Sequence, residues 1–192
     1  MLVTIISDAS YCQMTKCGGY GIWVASRRGS KAFGGAAHGF GNSTIVECVA
    51  VANGLYHAIE SGIVFKHDAI LFQTDCKAAI QLFEGTRDPK PEEASVFKWF
   101  MDAVCDNELT VQFRHVKGHT NLKDSRSLAQ DKCDETAGRY MRAGRRRKDY
   151  ERMKRDTAQS NKPRKEKTST VDHASWVRKL KLLVRQHTKV EF

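Results

Sequence analysis

Leu2-Val3-Thr4-Ile5-Ile6-Ser7-Asp8 and Ala69-Ile70-Leu71-Phe72-Gln73-Thr74-Asp75 decide how this chain folds. Both runs are short, almost wholly apolar and rich in β-branched or aromatic side chains, as strands covered on both faces must be. Each ends in a hydroxyl residue followed by an aspartate. A helical stretch lies between them, so a crossover connection would set the two strands parallel. Both aspartates would then emerge at the carboxyl edge of the sheet, where open α/β folds collect their ligands.

The flanking sequence completes the sheet. A loop holding Gly18 and Gly19 leads to a strand over Tyr20–Ser26, a turn Arg27-Arg28-Gly29-Ser30, and a strand over Lys31–His38. This pattern predicts a hairpin antiparallel to the first strand. Asn42, Ser43 and Thr44 offer caps for a helix in which Ile45, Val49, Ala52, Tyr56 and Ile59 form one stripe, and Ser61-Gly62 ends it. Two helical stretches surround Asp88-Pro89-Lys90-Pro91, Thr110–His115 alternates as a fifth strand, and a last helix spans about Arg126 to Arg142. The order βββαβα(α)βα predicts an α/β domain over residues 1–142, with a mixed five-stranded sheet of three antiparallel and then two parallel strands, flanked by helices.

Charge is distributed unevenly over the 192 residues. Residues 139–192 carry 18 Lys/Arg against 6 Asp/Glu, whereas 1–138 carry 14 against 16. A near-neutral body with a cationic tail points to a polyanionic partner. Residues 143–171 read as a basic flexible linker in which Arg145, Arg146, Arg147 and Lys148 are candidate phosphate contacts. Over 172–192 helical periodicity returns, with Trp176, Val177, Leu180, Leu183 and Val184 on one face, a candidate contact for a protein partner. No apolar run is long enough to span a bilayer, and the N-terminus reads as a strand rather than a secretory signal, so a cytoplasmic protein without a membrane partner is expected. The six cysteines show no metal-ligand spacing and read as reduced thiols.

Glu47, at the border of the first helix's stripe, and Asp134, beside Cys133 in the last helix, are placed to join Asp8 and Asp75. Taken singly, each is equally a turn, cap or helix-dipole residue. Together they form four carboxylates that would repel one another unless a cation neutralised them, and hard Mg²⁺ or Mn²⁺ suits oxygen ligands.

These residues resemble a type 1 ribonuclease H. Ser7-Asp8-Ala9-Ser10 is similar to that family's first-strand Asp-Gly-Ser, with Ala9 in place of glycine. Asn42-Ser43-Thr44-Ile45-Val46-Glu47 carries its helix-borne Glu, and Thr74-Asp75 resembles its fourth-strand motif. His115-Val116-Lys117-Gly118-His119 resembles its Val-Lys-Gly-His loop, and Asp131-Lys132-Cys133-Asp134-Glu135-Thr136-Ala137 its closing helix. The resemblance covers about residues 1–142. It implies a two-metal endonuclease acting on the RNA strand of RNA–DNA hybrids, with Asp8 bridging two Mg²⁺ ions. Asp134 would help hold the ion that activates water, and Glu47 and Asp75 would complete the other. By the same resemblance His119 shuttles protons or aids product release, and Ser43 and Thr44 contact the substrate. His115 reads as structural.

Two other readings stand beside this one. Asp131-Lys132-Cys133-Asp134 also fits the Asp-x-x-Asp of junction-resolving nucleases of the same fold. A nucleic-acid or host-factor binding module that kept the fold without hydrolysis is the non-enzymatic alternative.

Overall fold

In the computed structural model, residues 1–116 and 125–159 are described. Along the chain run β1 (Leu2–Cys12), β2 (Cys17–Ser26), β3 (Gly29–Ala36), α1 (Ser43–Glu60), β4 (Ala69–Thr74), α2 (Lys77–Phe83), α3 (Ala94–Asp106), β5 (Thr110–His115) and α4 (Ser125–Gln159). The sheet order is β3-β2-β1-β4-β5, antiparallel across β1–β2–β3 and parallel across β1–β4–β5. The α/β architecture expected from the two apolar runs is therefore the one the chain adopts.

Two expectations about the sheet are corrected. β1 does not stop at Asp8: its parallel pairing with β4 ends at Ile6↔Gln73, but its antiparallel pairing with β2 continues through Asp8↔Gly21 to Cys12↔Cys17. Asp8 thus sits where β4 leaves β1, mid-strand in the hairpin. Gly18 and Gly19, read as loop, lie inside β2. They are bare because other backbone comes close: a Cβ at Gly18 would meet the Ala37 carbonyl at 2.4 Å, and one at Gly19 the Ala137 carbonyl at 2.4 Å.

The sheet's two faces are covered differently. Val3, Ile5, Ile22, Val24, Ile70 and Phe72 join the buried face of α1 in the main core. Phe83, Phe100 and Phe113 cap that core at the β4–β5 end, Phe83 and Phe100 with ring centroids 4.4 Å apart. α1 is buried nearly all round, from Ile45 and Val46 to Leu55 and Ala58, because α2 and α3 lie on its far side, so its single predicted stripe understates its burial. Asn42 caps it by accepting from the Ile45 N–H at 3.1 Å, and Gly62 turns the chain out of it at φ +70°.

α4 covers the opposite face. It lies on β2 and β1, where Ile6, Ala129, Cys133 and Trp23 form a smaller cluster. The helix lies directly on the glycines: a Cβ at Gly21 would meet the Cys133 carbonyl at 2.1 Å, and one at Gly34 the Thr136 side-chain Cγ2 at 2.4 Å. Glycines 19, 21 and 34 form a seam into which the helix settles.

The flexible linker expected from residue 143 is also corrected over 143–159, where α4 continues unbroken. The helix is held there by the body: Gly144 is buried with its bare Cα against the His38 ring, and the Lys148 ammonium donates to the Thr15 carbonyl at 2.8 Å. Arg, Lys and Glu are also good helix formers. The predicted helix over 172–192 and the loop carrying His119 lie outside the described residues.

Candidate active site

Four elements deliver the acidic residues. Asp8 sits within β1 at the point where β4 diverges, and Asp75 directly follows β4. Glu47 lies just past the first turn of α1, five residues after the Asn42 cap rather than in the turn itself, and Asp134 follows Cys133 on α4. The Cys133 thiol lies 3.7 Å from the Ile6 carbonyl, which fixes the helix level with Asp8.

Carboxylate oxygens of Asp8, Glu47 and Asp75 all lie within 4.8 Å of one another. Asp8 is buried, Glu47 partly so, and Asp75 is the most open of the three. Asp134 is not one of that close group but lies beside Asp8, within side-chain hydrogen-bonding reach of it. Burial is the main force on these groups: it pushes the Asp8 carboxyl up to about 7, aided by the nearby charges of Asp75 and Asp134. Burial, with Asp8 and Asp75 as neighbours, pushes Glu47 up to about 9. The Ala9 backbone N–H is a counteracting donor to both. Ala9 needs no glycine-like conformation, since it is not among the residues with positive φ.

A hard divalent cation fits this donor set. Glu47 Oε2 is buried with no hydrogen-bond partner, and the three clustered carboxylates, with Asp134 beside Asp8, offer only oxygen ligands. An ion here would relieve both the mutual repulsion and the unmet oxygen.

The other sequence candidates fall in different places. Ser43 is exposed and Thr44 partly buried at the start of α1, one turn ahead of Glu47. Arg145, Arg146, Arg147 and Lys148 are all exposed on α4 but do not share one side; Arg147 pairs with Glu151 at 3.1 Å. His115 bonds the Asp75 carbonyl at 3.0 Å, bracing the segment that carries that aspartate. Sequence reasoning overlooked Ala9 as a donor and Arg142, whose guanidinium lies over Gly138 with Nη1 2.8 Å from where a Cβ would stand. The signal was available: a glycine four residues before an arginine leaves room for the long side chain to fold back along the helix.

This sheet order with an acidic centre at the β1–β4 divergence defines an RNase H-like protein, and solved structures bear out the fold. RNase H1 from Halobacterium salinarum NRC-1 matches with a TM-score of 0.59 at 15% identity, over 74% of this chain and 99% of that one. The N-terminal RNase H domain of rv2228c from Mycobacterium tuberculosis matches with a TM-score of 0.55 at 19% identity, over 73% and 99%. LC11-RNase H1, solved in complex with an RNA/DNA hybrid, matches at 0.53 and 11% identity, over 73% and 97%. No curated protein matches the sequence. The reverse transcriptase-like family model matches residues 7–129, and the chain belongs to that family, within the RNase H-like superfamily. The matched stretch holds Asp8, Glu47 and Asp75; Asp134 lies beyond it. No helix among the described residues is long and apolar enough to cross a membrane.

Proposed function

We propose that the chain is a divalent-metal-dependent endonuclease that hydrolyses the RNA strand of RNA–DNA hybrids. The observation that carries this reading is the cluster of Asp8, Glu47 and Asp75 within 4.8 Å, with Asp134 against Asp8 and a buried Glu47 oxygen left without a partner. It stands on a fold shared with an RNase H1 solved on such a hybrid. Asp8, Glu47, Asp75 and Asp134 would hold two Mg²⁺, or Mn²⁺ in their place. Bound there, the ions would supply Lewis-acid activation of water and stabilisation of the departing 3′ oxygen. The chain's own part is positional. α4 on its glycine seam holds Asp134 beside Asp8, His115 braces Asp75, and the Ala9 N–H orients two carboxylates. His119 is proposed to move protons at the departing product, and Ser43 and Thr44, at the start of α1, to meet the substrate backbone. The catalytic body is assigned to residues 1–142, and the basic residues beyond to substrate binding; a protein partner for 172–192 is proposed on its sequence alone.

The test is a cleavage assay on end-labelled hybrid, double-stranded RNA, double-stranded DNA and a four-way junction, each with Mg²⁺, Mn²⁺ or EDTA. Cleavage of the RNA strand of the hybrid alone is expected, giving 5′-phosphate and 3′-hydroxyl ends. EDTA, Asp75→Asn or Asp134→Asn should lower the rate at least a hundredfold. Junction cleavage without hybrid cleavage would replace the substrate, and no cleavage of any of the four would overturn the enzymatic reading.

A further inference from the structure

α4 continues well past the body helix expected from the sequence, and its helical phase ties the acidic centre to its basic end. Residues 134, 138, 141, 145, 148 and 152 are spaced four, three, four, three and four apart, one continuous stripe of an α-helix. Asp134 begins it and Arg145, Lys148 and Arg152 end it, all three exposed. At 1.5 Å per residue they stand about 16, 21 and 27 Å along the axis from Asp134. Gly138 fills the gap with no side chain of its own, and the Arg142 guanidinium lies over it.

β1 gives an independent check of this alignment. Asp8, Ser10 and Cys12 alternate onto one face of the strand, and Asp8 lies beside Asp134. Four residues on, Cys12 lies near enough to Arg145 to sense its charge. Helix and strand therefore run together from the acidic centre to the hairpin turn, where Lys148 reaches the Thr15 carbonyl. Arg142, Arg145 and Arg152 form no ion pair with a carboxylate among the described residues, while Arg147, on the opposite flank, is paired with Glu151. Asp149, the acidic residue nearest the stripe, lies about 40° round the helix from Arg145.

We infer that Arg142, Arg145, Lys148 and Arg152 form a phosphate-binding rail, built on the helix that carries Asp134, for the sugar-phosphate backbone of the nucleic-acid duplex whose scissile phosphate reaches the acidic centre. Cations at these spacings along a rigid helix meet phosphates several nucleotides to one side of the cut. The grip is blind to sequence and strongly salt-dependent. It rests on the nuclease reading only for what occupies the acidic centre.

The test is equilibrium binding of fluorescent RNA–DNA hybrids of 8 to 20 base pairs to the full chain in EDTA, at several salt concentrations, beside a separate cleavage assay in Mg²⁺. Wild-type affinity should climb with length until the duplex reaches Arg152, and the triple variant Arg142→Gln/Arg145→Gln/Arg152→Gln should lose most of that climb. Each single variant should weaken binding of the 20-mer about two- to fivefold and make the salt slope shallower by about 0.9. Arg139→Gln removes the same charge from the same helix but off the stripe, and should change the slope by less than about a third of that. Equal slopes for Arg139→Gln and the stripe variants, or a length dependence that the triple variant keeps, would overturn the rail. Loss of binding to anionic vesicles with hybrid binding intact would also overturn it. Length-dependent binding that the stripe variants weaken, without cleavage in Mg²⁺, would leave the rail standing and remove the nuclease reading.

Discussion

Asp8→Asn should make the metal-free protein more stable while abolishing its activity. In the folded chain, burial and the charges of Asp75 and Asp134 lift the Asp8 carboxyl from 3.8 to about 7. Roughly three pH units at 1.36 kcal/mol each put the cost of ionising it in the empty site at about 4 kcal/mol, and sharing of protons with Glu47 lowers that to between about 2 and 4 kcal/mol. The native state holds this proton more tightly than the unfolded chain does. The associated stability is therefore present below about pH 4 and lost as pH rises towards 7. Asparagine keeps the shape and can still accept from the Ala9 N–H, but it does not titrate. Urea unfolding in EDTA should show the variant more stable by about 2–4 kcal/mol at pH 8, with the gap closing to under about 1 kcal/mol at pH 4. Saturating Mg²⁺ should stabilise wild type and leave the variant nearly unmoved. A variant no more stable than wild type at pH 8 in EDTA would refute the claim that burial and neighbouring charge hold the Asp8 carboxyl high in the metal-free protein.

Three further outcomes follow, one from the same acidic centre and two from elsewhere in the molecule. Glu47→Gln should likewise stabilise the metal-free protein, but its gain should keep growing up to about pH 9, where the buried Glu47 carboxyl titrates, as followed by thermal unfolding in EDTA. Gly21→Ala places a methyl 2.1 Å from the Cys133 carbonyl; it should cost about 1–3 kcal/mol in urea unfolding and reduce cleavage by displacing Asp134 from Asp8. Asp68 is buried against the Arg28 guanidinium, with the Phe65 N–H a further donor, and these hold its carboxyl well below the usual range. Asp68→Ala should cost about 3–5 kcal/mol at pH 7 by leaving the Arg28 guanidinium and the N-terminal ammonium without their carboxylate, and the penalty should shrink in unfolding curves as the pH falls below about 4, where the unfolded chain takes up a proton that the folded pair still excludes.

Periodicity made the sheet readable because its central strands are nearly pure apolar runs and its hairpin strands lie between strong turn residues. Asp8 and Asp75 could be paired on paper because two parallel neighbours share an edge. The continuation of β1 to Cys12 was hidden, since Asp8 and Ser10 are turn-type residues that interrupt the apolar run, and the segment owes its strand conformation to pairing with β2. Gly18 and Gly19 misled for a related reason. Glycine usually marks a turn, whereas here it marks close approach of other backbone, a tertiary fact with no local trace. The helical course of 143–159 was also out of reach. Its composition is that of a solvated segment, and what orders it is Gly144 against His38 and Lys148 on Thr15, contacts made across more than a hundred residues of chain.

The glycine seam has a mechanical corollary. Four residues of helix advance about 6 Å and two of strand about 6.8 Å, so Cys133 over Gly21 and Ala137 over Gly19 mesh like teeth of nearly equal pitch. Length changes ahead of Cys133 can be absorbed upstream without disturbing that engagement. Losing one residue between Asp134 and Gly144 would instead twist the far end of the shaft by about 100° relative to the near end. Evolution can therefore lengthen or shorten the chain on one side of this gear and not on the other.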